Sequence, residues 1–368
     1  MFSSKKKYRK GGLTRKLLRV DSMLALLVVA IISILGGVYT KFDSPFTPIG
    51  QANGAPPVEA DFGLADTANA VLPEHAETDD EINRQLADMP KAKSSEPVRF
   101  LMLNAENYFV KEDNQRSRYK LSIKKEPARE AVADVIASAR PEIVGLIEIG
   151  GPKALADLQK RLQERGLVYQ YAKVLTRSGE DRALAVLSMH PFVQDNSRAD
   201  CKLLGTQRQM MLRGILDVTV KVQGKRYFRV IGAHLKSRVA DDPAAATARR
   251  GKEARTLAMY LQSIMRGQPH MPIVVYGDWN DGPADASLQV LLQGVSEDAA
   301  LTRVKAADSR GNTWTIYYEP AQTYHTFDQI FVNRVLRSRR GRSCESGVVD
   351  IEAANTASDH RAVWCDLR

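Results

Sequence analysis

Two hydrophobic periods run along residues 98–368, and together they indicate an α/β domain. Short apolar runs of strand length recur, and between several of them apolar residues return every three to four positions, which is the spacing of an amphipathic helix. Strands are predicted at 98–103, 142–147, 183–187, 215–222, 227–233, 273–276, 329–332 and 362–365, and helices at 126–139, 152–165, 247–265 and 284–292.

Several predicted strands follow one another without a helix between them. This order favours two sheets that pack face to face, with the helices on the outer faces. We therefore expect residues 98–368 to form a four-layer αββα sandwich of two mixed sheets flanked by helices.

The N-terminal region has a different pattern. Residues 1–21 are strongly basic, and the nineteen residues from 22 to 40 carry no charge. At about 1.5 Å per residue such a helix would span roughly 28 Å, enough for the hydrocarbon core of a bilayer. A transmembrane anchor is predicted, with the basic flank in the cytoplasm and the C-terminal domain in the periplasmic or extracellular space. A cleaved signal peptide is the alternative, but the small-residue string at 52–55 lies well beyond the apolar run.

Residues 41–97 are rich in proline, alanine and acidic residues and contain few large apolar ones. Such a segment buries too little surface to offset its loss of conformational entropy, so a flexible tether is predicted. A short helix near 79–89 is compatible with the pattern.

The charge balance and the cysteines narrow the function classes. A net charge of +10 over 368 residues suits a polyanionic partner, either nucleic acid or an anionic membrane surface, although solubility alone would also explain it. The three cysteines include no Cys-x-x-Cys pair, so the chain has no zinc-binding pattern.

Six short segments that contain acidic, amide or histidine side chains lie at or beside the ends of the apolar runs. Hydrolysis of a phosphate diester requires charge neutralisation, an activated water and help for the leaving oxygen, and a hard divalent cation held by oxygen ligands meets the first need. Carboxylates and amides at strand ends, with one or two histidines, are the side chains this chemistry uses. The strings are LNAEN at 103–107, GLIE at 145–148, GAHLKS at 232–237, GDWND at 277–281, TFDQI at 326–330 and SDHR at 358–361.

Spacing within two of these strings groups their polar residues. Asn104 and Glu106 are two apart in an extended stretch, so their side chains are expected on one face. Asp278 and Asn280 have the same relation and follow Gly277, which permits a tight exit from the strand.

In this order, the six strings resemble the endonuclease/exonuclease/phosphatase superfamily, and the resemblance covers nearly all of 98–368. It implies a metal site on Glu148, with Asn104, Glu106 and Asp359 as further metal-side residues. The cofactor implied is Mg²⁺ or Mn²⁺. Asp278 would orient the attacking water and Asn280 would hydrogen-bond the phosphate.

The resemblance also assigns roles to two histidines. His360 would act as the general base or as a phosphate contact, and Asp328 would hold its ring by accepting the other ring proton. His234 matches the second histidine of pancreatic-type deoxyribonucleases, which contacts phosphate or protonates the leaving oxygen. Arg182 and Arg213 are open to two interpretations, as phosphate contacts or as partners in structural salt bridges.

We therefore expect a membrane-anchored, metal-dependent phosphodiesterase, with DNA as the foremost substrate and RNA as a further one. A phosphoesterase acting on lipid headgroups or inositol phosphates is the first alternative, since the superfamily includes such enzymes. A binding protein that keeps the fold without catalysis is the second, and the intact acidic and histidine positions argue against it.

Overall fold

Two six-stranded mixed sheets form the centre of the computed structural model, which describes residues 76–87, 96–114, 122–206, 208–223, 226–340 and 344–368. The strands are β1 (Val98–Tyr108), β2 (Ile143–Ile149), β3 (Tyr171–Arg177), β4 (Glu180–Ser188), β5 (Phe192–Asp195), β6 (Leu216–Val222), β7 (Arg226–His234), β8 (Ile273–Asp278), β9 (Thr302–Arg303), β10 (Ile316–Tyr318), β11 (Thr323–His325), β12 (Asp328–Val332), β13 (Ser346–Val348) and β14 (Val363–Leu367). The helices are α1 (Asp79–Ala87), α2 (Lys111–Asn114), α3 (Glu126–Ala139), α4 (Pro152–Glu164), α5 (Pro243–Gly267), α6 (Ala286–Gln293), α7 (Arg334–Arg340) and α8 (Ala354–Ala357).

The first sheet has the strand order β13-β14-β1-β2-β4-β3 and the second has the order β5-β6-β7-β8-β12-β9. Each sheet contains one parallel pair, β1 with β2 and β7 with β8, among antiparallel neighbours. A separate two-stranded ribbon is formed by β10 and β11. The expectation of two mixed sheets flanked by helices is confirmed.

Three apolar cores hold the layers of sheets and helices together. One lies between the sheets, and the other two lie between each sheet and its helices: α3 and α4 cover the first sheet, while α5 and α6 cover the second. Tyr276 shows how closely the sheets approach. Its ring packs 5.5 Å from that of Phe100, and its hydroxyl donates to the carbonyl oxygen of Ala185 in the opposite sheet at 2.9 Å.

The structure allows only part of the prediction for the N-terminal region to be checked. The expected anchor at 22–40 and the basic segment 1–21 lie outside the described residues, so both stay predictions. Within the described part of the chain, no helix is long and apolar enough to cross a membrane.

The C-terminal end of the expected tether contains a helix, and most of 41–97 lies outside the described residues, so the tether stays a prediction. α1 forms where a short helix was considered, and Ile82 and Leu86, four residues apart on one helical face, are buried against α5 and β7. Thr78 and Glu81 form a reciprocal capping box: the backbone N–H of Thr78 donates to Glu81 at 2.7 Å, and that of Glu81 donates to the Thr78 hydroxyl at 3.2 Å. Tyr227 further fixes the segment by donating its hydroxyl proton to Glu77 at 2.7 Å.

A pair of Gly→Ala substitutions tests the packing between the sheets. A Cβ at Gly145 would lie 2.6 Å from the buried ring of Tyr276, whereas a Cβ at Gly251, inside α5, would meet nothing within 4 Å. Gly145→Ala should lower the free energy of unfolding by about 1–3 kcal/mol through overpacking. Gly251→Ala should raise it by roughly 0.5–1 kcal/mol because helical glycine is conformationally costly. Urea unfolding measures both, and equal effects would refute the packing argument.

Candidate active site

Strand register places three of the expected residues side by side. In the second sheet, His234 at the end of β7 is the cross-strand partner of Asp278 at the end of β8, and Asp278 is the partner of Asp328 at the start of β12. β7 and β8 are parallel and β12 runs antiparallel to β8, so all three residues come to the same edge. This edge faces the ends of β1 and β2 in the first sheet, where Asn104 and Glu148 stand.

Asp328 and His360 form a buried pair. The Nδ1 atom of His360 lies 2.7 Å from Oδ2 of Asp328, and the two residues are 7% and 1% exposed. Burial by itself would lower the pKa of His360, but the charge of Asp328 and its hydrogen bond raise that pKa well above its usual value. The ring therefore favours the cationic form.

Ser358 connects this pair to the first sheet. Its hydroxyl donates to the backbone carbonyl of Asn104 at 2.7 Å and accepts from the backbone N–H of His360 at 3.0 Å. The serine of the Ser-Asp-His string is thus a positioning residue, because it sets the height of His360 relative to β1.

Asp278 is the centre of the polar cluster. Its Oδ2 atom accepts from the Asn104 amide at 3.0 Å and lies 3.4 Å from Nε2 of His234 and 4.0 Å from Nε2 of His360. Its Oδ1 atom accepts from the backbone N–H of Asn280 at 2.9 Å. Burial raises the pKa of this carboxyl group above the usual range, against the opposing effect of the His360 charge.

Burial has the opposite consequence for His234, which is 3% exposed. Desolvation, with the nearby positive charges of Arg213 and His360, lowers its pKa well below the usual value. Its Nδ1 atom has no hydrogen-bond partner among the residues that the structure describes. His234 is therefore neutral at pH 7, and its Nε2 atom, 3.4 Å from Oδ2 of Asp278, is the ring nitrogen that faces the site.

Three carboxylates line the approach to this cluster, with side-chain exposure that increases outward from Glu148 (15%) to Glu106 (45%) and Asp359 (53%). Oε2 of Glu148 accepts from the backbone N–H of Asn107 at 3.1 Å, while Oε1 lies 4.0 Å from Nε2 of His234. Desolvation and the negative charges of Glu106 and Glu148 raise the pKa of Asp359, although His360 opposes them. Carboxylates that repel one another in this way form a site suited to a cation.

The backbone is strained where these side chains leave their strands. Glu106, Asn107, Glu148 and Asn280 have φ values of 44°, 51°, 63° and 53°, in the left-handed region, and Arg140 and Gln322 are the other non-glycine residues with positive φ in the described part of the chain. Such a conformation costs on the order of 1–3 kcal/mol per residue and persists where the surroundings impose it. Four of these six residues belong to one site, which indicates that the strained backbone positions functional groups.

Both interpretations of the two arginines can now be compared. Arg182 donates from Nε to Oδ1 of Asn107 at 2.8 Å and to Oε2 of Glu148 at 3.2 Å, so it supports the strand ends. Arg213 is 8% exposed and lies 3.3 Å from Glu180, but within the described residues its Nε and Nη1 atoms lack hydrogen-bond partners. Arg182 therefore matches the structural interpretation, whereas Arg213 pairs with Glu180 through Nε and keeps Nη1 without a hydrogen-bond partner in the described residues.

The structure adds two residues that the sequence did not indicate. Lys124 is buried, and its Nζ donates to the carbonyl oxygen of Glu106 at 3.1 Å and lies 3.5 Å from its carboxylate. Arg238 donates to the carbonyl oxygen of Asn280 at 2.8 Å. Lys124 comes from a loop without a motif and Arg238 directly follows the GAHLKS string, but nothing in the sequence indicated the partner of either residue.

Two groups of residues are candidates for a metal. Within the described ranges, Asp278, Asp328 and His360 are a buried set whose potential ligand atoms all lie within 4.8 Å of one another. The second group comprises the oxygens of Glu148, Glu106, Asp359 and Asn104, the ligands implied by the resemblance. Oxygen donors of this kind fit a hard divalent cation such as Mg²⁺ or Mn²⁺.

Comparison with known protein families shows to which family the chain belongs. A model described as "Endonuclease/Exonuclease/phosphatase family" matches residues 103–344. The chain belongs to this family. Its members are phosphoester hydrolases, most of them dependent on a divalent metal, so the protein is an enzyme of that class and the resemblance noted from the motifs is confirmed. No curated relative matches the sequence.

Solved structures agree on the fold. The human Nocturnin catalytic domain with bound sulfate is similar with a TM-score of 0.53 at 17% identity, over 74% of this chain and 94% of that one. An endonuclease/exonuclease/phosphatase from Bacteroides vulgatus has a TM-score of 0.53 at 15% identity, over 74% and 99% of the two chains. One from Beutenbergia cavernae has a TM-score of 0.51 at 19% identity, over 74% and 72%.

The opposite pKa shifts of the two histidines can be measured directly. In metal-free protein held in chelator, His360 should keep its ring proton as the pH rises through 6.5, because its pKa is raised. His234 should stay neutral as the pH falls through 6.5, because its pKa is lowered. NMR titration of isotopically labelled histidines measures both pKa values, with the resonances assigned by single variants.

A matched pair of variants locates the cause of the His360 shift. Asp328→Asn removes the carboxylate and should lower the His360 pKa, whereas Glu142→Gln, which removes the carboxylate 2.7 Å from His190, should leave His360 unchanged. Identical titration of His234 and His360 near pH 6.5 would contradict the electrostatic picture.

Proposed function

We propose that the protein is a Mg²⁺- or Mn²⁺-dependent phosphodiesterase that hydrolyses nucleic acid, with DNA as the first substrate and RNA as the second. One observation carries the proposal. At the sheet edge, Nε2 of His234 and Nε2 of His360 lie 3.4 Å and 4.0 Å from Oδ2 of Asp278, and Asp328 holds the other nitrogen of His360. The carboxylates of Glu148, Glu106 and Asp359 stand at the entrance.

Hydrogen bonding helps to choose between the two metal groups. In the buried set, both oxygens of Asp278 already accept hydrogen bonds and Oδ2 of Asp328 is held by His360, which leaves one oxygen, Oδ1 of Asp328, without a partner among the described residues. At the entrance, Oε1 of Glu148 has no closer polar contact than His234 at 4.0 Å within the part of the chain that the structure describes. We therefore assign the cation to Glu148, with Asn104, Glu106 and Asp359 as further ligands, directly or through water. When bound, such a cation neutralises phosphate charge and lowers the pKa of coordinated water.

The charge states suggest how protons move. A cationic imidazole cannot accept a proton, so of the two roles considered for His360 its raised pKa favours the phosphate contact. Asp278 is then the group that orients the attacking water and accepts its proton, because burial has raised its pKa toward that of an effective base. In-line attack by this water needs no covalent intermediate.

Three groups remain for the phosphate and the leaving oxygen. Neutral His234 can donate a hydrogen bond to a phosphate oxygen from the floor of the site. Buried Arg213, whose charge acts on His234, has an Nη1 group without a hydrogen-bond partner in the described residues. Asn280 donates from Nδ2 to the carbonyl oxygen of Leu235 at 3.2 Å, which leaves its second amide proton for the phosphate. Donors held in place before the reaction stabilise the charge that develops in the transition state.

The choice of nucleic acid rests on charge and surface. The net charge of +10 suits a polyanion. In the described ranges only three large aliphatic side chains, Ile123, Val168 and Val239, are exposed, which is few for a surface that inserts into lipid. A lipid-headgroup or inositol-phosphate substrate is the second candidate and would act through the same catalytic groups.

The proposed location follows from the N-terminal sequence. The basic segment 1–21 and the uncharged segment 22–40 support a single-pass protein whose catalytic domain works in the periplasmic or extracellular space.

Plasmid nicking by the full chain tests the proposal. With Mg²⁺ or Mn²⁺ the protein should convert supercoiled plasmid to open-circle form, and chelator should stop the reaction. Asp278→Asn should lower turnover about 10²–10⁴-fold, the usual contribution of a general base. Asp298→Asn, a remote exposed aspartate with 84% side-chain exposure, serves as the control and should nick at the original rate. Metal-dependent nicking that survives in Asp278→Asn would refute the assigned base.

A further inference from the structure

A row of three aromatic rings stands on the outer ribbon of β10 and β11. Tyr317 and Tyr324 are direct cross-strand partners, with ring centroids 4.8 Å apart, and Trp314 lies 5.0 Å from Tyr324 on the other side. We call Trp314, Tyr324 and Tyr317 the aromatic row. Tyr324 is 61% exposed and Tyr317 is 38% exposed, so the row presents ring surface to solvent.

Thr315 and Ile316, which follow Trp314 in the chain, are joined to the segments that carry both members of the catalytic pair. The buried hydroxyl of Thr315, next to Trp314, accepts from the backbone N–H of Asp328 at 3.0 Å. The carbonyl oxygen of Thr315 accepts from the backbone N–H of Arg361 at 2.7 Å, and Ile316 forms a β-bridge with His360. The rings therefore extend outward from the point where the reaction is proposed to occur.

Packing does not explain the exposed part of the row. The inner ring, Trp314, is held by the guanidinium of Arg361 at 4.2 Å from its centroid, and Arg361 is itself paired with Asp308 at 3.0 Å. The outer rings contact Trp314 and each other and are held by the strand pairing, yet both remain exposed to solvent. Exposed aromatic rings that a structure holds in fixed positions indicate a binding surface.

The chemistry of the row favours nucleobases. Bases stack on aromatic side chains whatever their identity, and a positively charged protein directs the phosphate backbone to the same place. In a duplex the base faces are covered by their neighbours, whereas in a single strand they are free. A phosphodiester at the catalytic pair would place its neighbouring base within reach of rings anchored one residue away.

A membrane is the less suitable occupant. The turn of the ribbon consists of Glu319, Pro320, Ala321 and Gln322, all exposed, and it contains a carboxylate but no large aliphatic side chain. Insertion into an anionic membrane would require burial of that charge. Stacking leaves the turn in water.

We propose that the aromatic row binds the unpaired bases of single-stranded nucleic acid whose phosphodiester lies at the active site, so the enzyme selects single strands over duplex. This inference rests on the proposed function, since it names the form of nucleic acid that the same site would accept.

Binding by the full chain in Mg²⁺ tests the inference. Asp278→Asn is the parent protein, so that the probe is not cleaved, and the probes are a fluorescent oligothymidylate and a blunt duplex of equal length. Adding Tyr324→Ala should weaken oligothymidylate binding about five- to one-hundredfold, the range for loss of one stacked base. Tyr324→Phe should restore it, and duplex binding should change little.

Tyr318 provides the matched control. It is 43% exposed on the same ribbon, but it pairs with Thr323 and so points to the other face from Tyr317 and Tyr324. Tyr318→Ala should leave oligothymidylate affinity unchanged. Equal losses, or no loss, in Tyr318→Ala and Tyr324→Ala would overturn the inference.

Two further readouts separate the possible failures. Mn²⁺ affinity, measured by calorimetry, should be unaffected by Tyr324→Ala in the otherwise unaltered enzyme. Absence of metal-dependent hydrolysis of any phosphodiester by the unaltered enzyme would refute the proposed function itself. Unchanged oligothymidylate affinity in Tyr324→Ala, with loss of binding to phosphatidylglycerol vesicles, would assign the row to a membrane and overturn the inference alone.

Discussion

The hydrogen bond between Asp328 and His360 is the contact on which the rest of the site depends. Asp328 begins a strand of the second sheet, while His360 leads into β14 of the first, so this one 2.7 Å contact joins the two layers. Asn104 and Asp278 form a second connection between the sheets. A buried charge that loses its partner is strongly destabilising, often by about 3–5 kcal/mol. The sheets must therefore keep the relative position in which these polar groups meet, and the apolar core between them, centred on Tyr276, has to match that spacing.

The same arrangement explains why groups of one type behave differently. His234 and His360 both point at Oδ2 of Asp278, but only His360 has a carboxylate on its other nitrogen, and its pKa is raised while that of His234 is lowered. Likewise, Asp278 is enclosed and becomes a stronger base, whereas Glu106 and Asp359 at the entrance remain accessible to a cation. Environment, and not residue type, thus sets the different charge states on which the proposed roles in proton transfer, phosphate contact and metal binding rest. The left-handed backbone at Glu106, Glu148 and Asn280 is the steric cost of turning these side chains toward one point.

Site residues at strand ends could be predicted from the sequence because such residues have a local signal. A polar residue that closes an apolar run, as Glu148 and Asp278 do, is visible without any tertiary information, and the order of six such strings was enough to suggest the family. Residues that act across the fold had no such signal: Lys124 reaches Glu106 from a loop, and Thr315 binds Asp328 from the ribbon. β3 and β5 were missed because polar residues interrupt their apolar pattern, and β10 was missed because it is only three residues long. α1 was considered but placed in a flexible tether, since its burial depends on the distant Tyr227 and on α5.

The most direct test is anomalous diffraction from crystals of the full chain grown or soaked with Mn²⁺. The account predicts one strong peak at the carboxylate entrance, about 2.0–2.3 Å from an oxygen of Glu148, with the bond between Asp328 and His360 intact. A peak coordinated instead by Asp278, Asp328 and His360 would contradict the division of the site into a cation entrance and a proton-transfer interior.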